Sequence, residues 1–378
     1  MHDDPLALLS ALVAVPSVNS DLVSRADGEA AIADVCQAWL RDSGFVVERL
    51  ESRPGHPSLL ATSPGTGGGR SLMLNGHLDT VGISTYKGQA LTTRIADGNI
   101  FGRGTFDMKG GVAAMIVAAT QAARLPHRGD IVVALVADEE FGSTGTEEVV
   151  RHCRTDAAIV VEPSGLELTV AHRGFAWFDV EVVGRSAHGS QPELGLDAIA
   201  GAGAILQGLE SLSEELRNRK SHHLLGHGTV RVSAIRGGVD AATVAPSCQL
   251  SIERRILPGD DPDRIEDELR NLIAACCAPS GLDFTLSRLV ARAAFETQAG
   301  SPIVEAVKAA AMQILGRVPA ERGEPFWTDA GLISEAGIDC LVFGVDGGGA
   351  HADEEWATVD SVLRLAEVLE RTIADFCS

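Results

Sequence analysis

Four short apolar runs in this 378-residue sequence lead into side chains that bind metal ions well. Ile131 to Phe141 reads IVVALVADEEF, a run suited to a strand buried on both faces that stops in Asp138, Glu139 and Glu140. Ser71 to Leu74 leads to His77 and Asp79, Ala157 to Val161 leads to Glu162, and Cys340 to Val345 leads through a glycine loop to His351. Adjacent buried carboxylates repel one another. Desolvating each costs on the order of several kcal/mol unless a cation or hydrogen bonds compensate. Alone, the acidic stretch would equally suit a solvated turn. The other three runs favour the cation, because an open parallel sheet forms its sites outside the carboxyl ends of its strands. His77, Asp107 of GRGTFDMKGG, Glu140, Glu162 and His351 make a nitrogen and oxygen donor set suited to zinc, cobalt or manganese. Five ligands exceed what one catalytic zinc with an open position takes. One bridging carboxylate and two ligands per ion would hold two metals about 3.5 Å apart.

The elements that must carry these residues follow from spacing. Leu6 to Val15 and Glu29 to Leu40 have helical periodicity, Phe45 to Leu50 and Ser58 to Ala61 read as strands, and Pro64 to Gly69 is a turn between strands. Val112 to Arg124 is a helix apolar on most sides, fit for a core. GRGTFDMKGG is neither a dinucleotide fingerprint, which would need glycine at Asp107, nor a phosphate loop, for want of Gly-Lys-Ser/Thr. The alternation predicts an α/β fold with a mainly parallel sheet and helices on both faces. After His172 the pattern changes. Strands at Phe175 to Val183, Thr229 to Ile235, Gln249 to Ile256 and Asp283 to Leu289, with helices at Ala198 to Leu216 and from Asp261-Pro262 to about Cys277, give the order β-α-β-β-α-β of a ferredoxin-like sandwich. Ser301-Pro302 then opens a further helix. The expected domains are therefore 1–172 with 290–378 for the metal site, and an inserted 173–289.

Composition excludes several classes. Thirty-one basic against 52 acidic residues give −21, which argues against nucleic acid and an anionic membrane surface. Seven cysteines without CxxC spacing suggest neither a disulfide framework nor a thiolate zinc site, and favour a reducing cytoplasm. The start MHDDPLALLSALVAV is acidic where a secretory signal is basic, and no apolar run approaches the ~18 residues that span a bilayer.

GHLDTVG, GRGTFDMKGG, ADEEFGS, VVEPS and GGGAH, in that order around an inserted sandwich, resemble the motifs of metallopeptidase family 20. This is the family of acetylornithine deacetylase, succinyl-diaminopimelate desuccinylase, aminoacylase and carboxypeptidase G, with a di-zinc exopeptidase-like fold. The resemblance implies that His77 and Glu162 bind one zinc, that Glu140 and His351 bind the other, and that Asp107 bridges. It implies a cis peptide at Asp107-Met108, and Asp79 orienting His77 through the second ring nitrogen. Glu139 would be the general base, its pKa raised by burial and neighbouring charge. His188 in GRSAHGS would steady the oxyanion from a neighbouring subunit, Arg255 would hold a substrate carboxylate, and Thr328 would line the substrate pocket. Arg254 lies on the other strand face, so one of the two arginines points inward. The implied reaction is amide hydrolysis of an N-acyl amino acid by a metal-bound hydroxide, in a homodimer whose inserted domain serves dimerisation and lid closure. A dipeptidase or glutamate-type carboxypeptidase, or a metal-binding interaction protein whose catalysis has lapsed, are the alternatives. Intact Asp79 and Glu139 speak against the last.

Other features weigh less. His222, His223 and His227 read as an exposed loop without an acidic partner. Ser143 and Ser164 lie outside G-x-S-x-G, so a serine hydrolase is disfavoured. Phe326-Trp327 stands where the family often has glycines and would reshape the substrate pocket. Glu354-Glu355 stands where it often has Asn-Glu, and would make the region more negative.

Overall fold

The computed structural model describes residues 3–219 and 221–378. Ile131–Val136, all six residues buried, forms a strand between Leu72–His77 on one side and Ser58–Ser63 on the other. Leu72–His77 pairs parallel with Ile131–Val136 and with Ala157–Val160, and Ala157–Val160 pairs parallel with Asp339–Val342. These four parallel strands are the runs that end in candidate ligands, so their carboxyl ends share one rim. The sheet is finished by antiparallel neighbours: Ser58–Ser63 and Val46–Leu50 on one flank, and the strand beginning at Leu168 on the other.

The helix Lys109–Ala123 is buried along almost its whole length. Its run of glycine, alanine and valine lets it pack closely on the sheet, on Pro5–Val13 and on the C-terminal helix Val359–Phe376. Asp4 caps the first helix, its carboxylate accepting from the N–H groups of Leu6 and Ala7. Ser301 makes no such cap for Pro302–Leu315; its hydroxyl donates to Asp339 at 2.5 Å, tying the helix start to a strand.

The chain divides into two compact units. One comprises the described residues up to Val170, Thr297–Arg322 and Thr328–Ser378; the other comprises Ala171–Glu296 and Gly323–Trp327. The second unit reaches beyond the expected 173–289 for two reasons. Its last long strand runs on to Arg292 and is followed by Phe295 and Glu296, which pair with His172 and Ala171. Trp327 also joins it, the indole N–H donating to the Ala293 carbonyl at 3.0 Å and the ring meeting Phe175 edge-on. Within this unit, strands Thr229–Gly237, Ser247–Ile256, Gly174–Val183 and Asp283–Arg292 lie in that order, all antiparallel, the order of a ferredoxin-like sandwich. Ala176, Phe178, Val180 and Val182 alternate inward against helices Ala198–Asn218 and Pro262–Cys277. No helix among the described residues is long and apolar enough to cross a membrane. All seven cysteines are free.

Candidate metal centre

His77 is the last residue of its strand, and Glu162 lies two residues past Ala157–Val160. Glu139 and Glu140 follow Ile131–Val136 through a turn in which Asp138 takes a left-handed conformation, φ 65°. Asp107 lies two residues before the buried helix, and its peptide bond to Met108 is cis, as the resemblance implies. His351 sits on an exposed loop with φ 60°.

These residues meet. Asp107 divides its carboxylate between two imidazoles: Oδ1 is 3.1 Å from His77 Nε2, and Oδ2 is 3.3 Å from His351 Nε2. Glu162 Oε1 is 3.6 Å from His77 Nε2, and Glu140 Oε2 is 3.0 Å from His351 Nε2. Glu139 lies with His77 and Glu162 in a group whose donor atoms are within 4.8 Å of one another, as do His77, Asp107 and Glu140.

The charge balance fits cations. Burial, followed by neighbouring carboxylates, pushes Glu139 and Glu162 well above the ordinary glutamate value, and Glu140 upward as well. Burial works against charging His77, but hydrogen bonds to Asp107 and Asp79 carry it well up. Hydrogen bonds to Asp107 and Glu140 raise His351 to about 10. Four carboxylates thus share two imidazoles, and protons stand where divalent ions would relieve the same repulsion. The donors are nitrogen and oxygen, the chemistry of catalytic zinc, manganese or cobalt sites.

Asp79 meets His77 at Nδ1 and also does more. The His77 Nδ1 proton is nearer the backbone carbonyl of Asp79, at 3.0 Å, than its carboxylate, at 3.5 Å. The carboxylate also accepts from the N–H groups of Glu139 and Glu140, at 3.2 and 3.1 Å, and from Asn19 Nδ2 at 2.8 Å. It therefore fastens the acidic turn to the end of the His77 strand. Asn19 Nδ2 also reaches Asp138, and buried Glu29 accepts from the Asp138 N–H while holding His56. Neither Asn19 nor Glu29 carries a sequence signal, because each contact joins segments dozens of residues apart.

Thr328 is buried, and its hydroxyl accepts from the Ala330 N–H at 3.2 Å, starting a short helix. Its neighbour Asp329 accepts from Thr146, which in turn accepts from Asn75 Nδ2. In the second unit, His188 is exposed, with Nδ1 2.8 Å from the Ser190 hydroxyl. Arg254 is the buried arginine of the pair, bonded to backbone carbonyls, whereas Arg255 is partly exposed and pairs with Glu253 at 2.9 Å. Of the two aromatics before Thr328, Trp327 is consumed by packing on Phe175 and Phe326 is exposed.

The histidine loop does have an acidic partner, contrary to expectation: His222 Nε2 is 2.9 Å from Glu296. His222 Nδ1 accepts from the N–H groups of Leu224 and Leu225, so Nε2 carries the proton and donates to Glu296. That tautomer leaves no ring lone pair for a metal, and the cluster reads as a loop tie.

Residues 73–375 match the profile of Peptidase family M20/M25/M40. Acetylornithine deacetylase of Myxococcus xanthus is 31% identical over 361 residues, spanning 92% of each chain. Among solved structures, the fold is similar to aminopeptidase PepT of Bacillus cereus, with a TM-score of 0.85, 22% identity and coverage of 100% of this chain and 99% of that one. It is also similar to the YXEP protein of Bacillus subtilis, described as a dinuclear metal binding peptidase, with a TM-score of 0.77, 13% identity and coverage of 99% and 98%.

Proposed function

The chain belongs to peptidase family M20/M25/M40, a family of hydrolases, and from that premise we propose that it removes the acyl group from N-acyl amino acids with two divalent cations. The observation that carries this reading is the division of Asp107 between His77 and His351, which suits a carboxylate shared by two ions. The 31% identity to an acetylornithine deacetylase over 92% of both chains supports an N-acetyl amino acid as substrate class.

In this reading His77 and Glu162 hold one cation, Glu140 and His351 the other, and Asp107 both, with zinc the preferred ion and cobalt or manganese its substitutes. When bound, the ions supply Lewis acidity that makes water nucleophilic near neutral pH and offsets charge on the amide oxygen. Glu139 takes the proton from the attacking water and delivers it to the departing amine nitrogen. Its raised pKa suits both halves of that transfer. Asp79 holds Glu139 and Glu140 in place through their backbone N–H groups. On the resemblance, His188 steadies the oxyanion and Arg255 and Thr328 bind substrate. The edge strands Thr229–Gly237 and Asp283–Arg292 are the pairing surfaces of a homodimer, which a monomer in sedimentation at micromolar concentration would rule out. Seven free cysteines suit a reducing compartment such as the cytoplasm.

The deciding experiment is a panel of N-acetyl amino acids, N-succinyl amino acids and dipeptides, run with added zinc, cobalt or manganese. N-acetyl amino acids should turn over fastest. Preference for dipeptides would reassign the chain to peptidase chemistry, and no amide turnover at full metal loading would make it a binding protein.

A further inference from the structure

His351 stands in a run of five exposed residues, 350–354, so packing does not hold it against Asp107 and Glu140. The first residue past that run is different: Glu354 is exposed, but Glu355 is fully buried, and four donors converge on its carboxylate. Oε1 accepts from the N–H groups of Phe106 at 3.0 Å and Asp107 at 2.9 Å. Oε2 accepts from the Gly104 N–H at 2.9 Å and from Arg103 Nη1 at 2.7 Å. Arg103 is itself buried, and its other arm, Nη2, donates to the carbonyl of Ala352, the residue after His351, at 2.7 Å. The Gly102 N–H and the Tyr86 hydroxyl both donate to the Glu355 backbone carbonyl, at 3.2 and 3.3 Å. One buried ion pair therefore laces the loop that carries Asp107 to the loop that carries His351, across about 250 residues of sequence.

We propose that Arg103 and Glu355 are positioning residues that set the separation of Asp107 from His351, and with it the affinity of the cation held by Asp107, Glu140 and His351. The proposal rests on the metal reading of the site. An isolated buried ion pair is poor value for stability, since desolvation offsets much of its attraction. Here the Glu355 carboxylate meets four donors, although Arg103 Nε finds no acceptor, and the planar guanidinium serves a carboxylate and a carbonyl at once, which an ammonium group cannot reproduce. On the other side, His77 and Glu162 follow parallel strands of the sheet, so of the ligands on that side only the shared Asp107 depends on this pair.

Two variants of the full chain test it. Glu355→Gln puts an amide donor where donors already converge. Arg103→Lys keeps the charge and loses the second arm to Ala352. Cations per chain are counted by elemental analysis and their stepwise affinities measured by chelator competition, beside kcat and KM. The expected result is one cation weakened only slightly, through the shared Asp107, and a second weakened about 10- to 100-fold. Activity lost at limiting cation should return on adding excess, through kcat and with KM unchanged. If Glu355→Gln fails to fold, Arg103→Lys carries the test through the same selective weakening. Two cations bound at wild-type affinity in the folded variants, or equal weakening of both, would overturn the positioning role while leaving the metal site standing. A wild-type chain that binds no divalent cation would instead remove the metal reading and this inference with it.

Discussion

Glu139 lies close enough to His77 and Glu162 to serve as a third ligand, yet the proposed mechanism needs its proton affinity. Glu139→Gln separates the two roles. With Glu139 as the base, turnover should fall about 10²- to 10⁴-fold while elemental analysis still finds two cations per chain. Loss of one cation would make Glu139 a ligand. At this scale His77, Glu140 and Glu162 are legible as candidate ligands because each stands just past a strand-like run, where position and chemistry coincide. The groups that hold them are not. Glu355 looks in sequence like the second of two surface acids, and its role rests on Arg103, far upstream. Asp79 shows in sequence as the neighbour of His77, whose Nδ1 lies beside both its carbonyl and its carboxylate, but the hold of that carboxylate on the next strand's turn does not. The partner of His222 was missed because Glu296 is 74 residues away.

Elements were easier to read than their contacts, since periodicity reports burial directly. Gly174–Val183 alternates strictly, Ile131–Val136 is apolar throughout and Lys109–Ala123 is so from Gly110 to Ala119, as elements covered on all sides are. What periodicity cannot report is how closely two backbones approach. Gly111 in the buried helix would bring an added Cβ to 2.2 Å from the Val161 carbonyl oxygen, next to Glu162. Helix propensity alone favours alanine over glycine by about 1 kcal/mol. The overlap is with backbone, which cannot step aside, so overpacking should win and Gly111→Ala should cost about 1 to 3 kcal/mol. Exposed Gly203, in helix Ala198–Asn218, meets nothing within 4 Å, and there Gly203→Ala should gain about 0.5 to 1 kcal/mol. Urea denaturation of both variants checks the pair, and a gain in Gly111→Ala as well as in Gly203→Ala would count against the overlap at Gly111.

For the whole molecule, the site makes folding depend on pH, and the sign differs from that of an ordinary acidic protein. In the cation-free chain Glu139 and Glu162 have pKa values raised well above 4.5, and His351 is raised from 6.5 to about 10. A raised value means that the folded chain keeps protons which the unfolded chain releases. The stability each group contributes is therefore complete below its unfolded value and is lost as pH rises through its folded value. Asp107 runs the other way, since hydrogen bonds from His351 and His77 outweigh burial and depress it, but its window is acidic, below 3.8. Between about pH 6.5 and pH 10 the site should thus make the cation-free protein steadily less stable. Cations displace those same protons, so their binding strengthens as pH rises, and they stabilise only the folded chain. Thermal unfolding with a chelator and with saturating cation should give Tm values that lie closest near pH 6 and draw apart toward about pH 9. A gap that stays constant or narrows over that range would mean that the protons on Glu139, Glu162 and His351 are not what the cations replace.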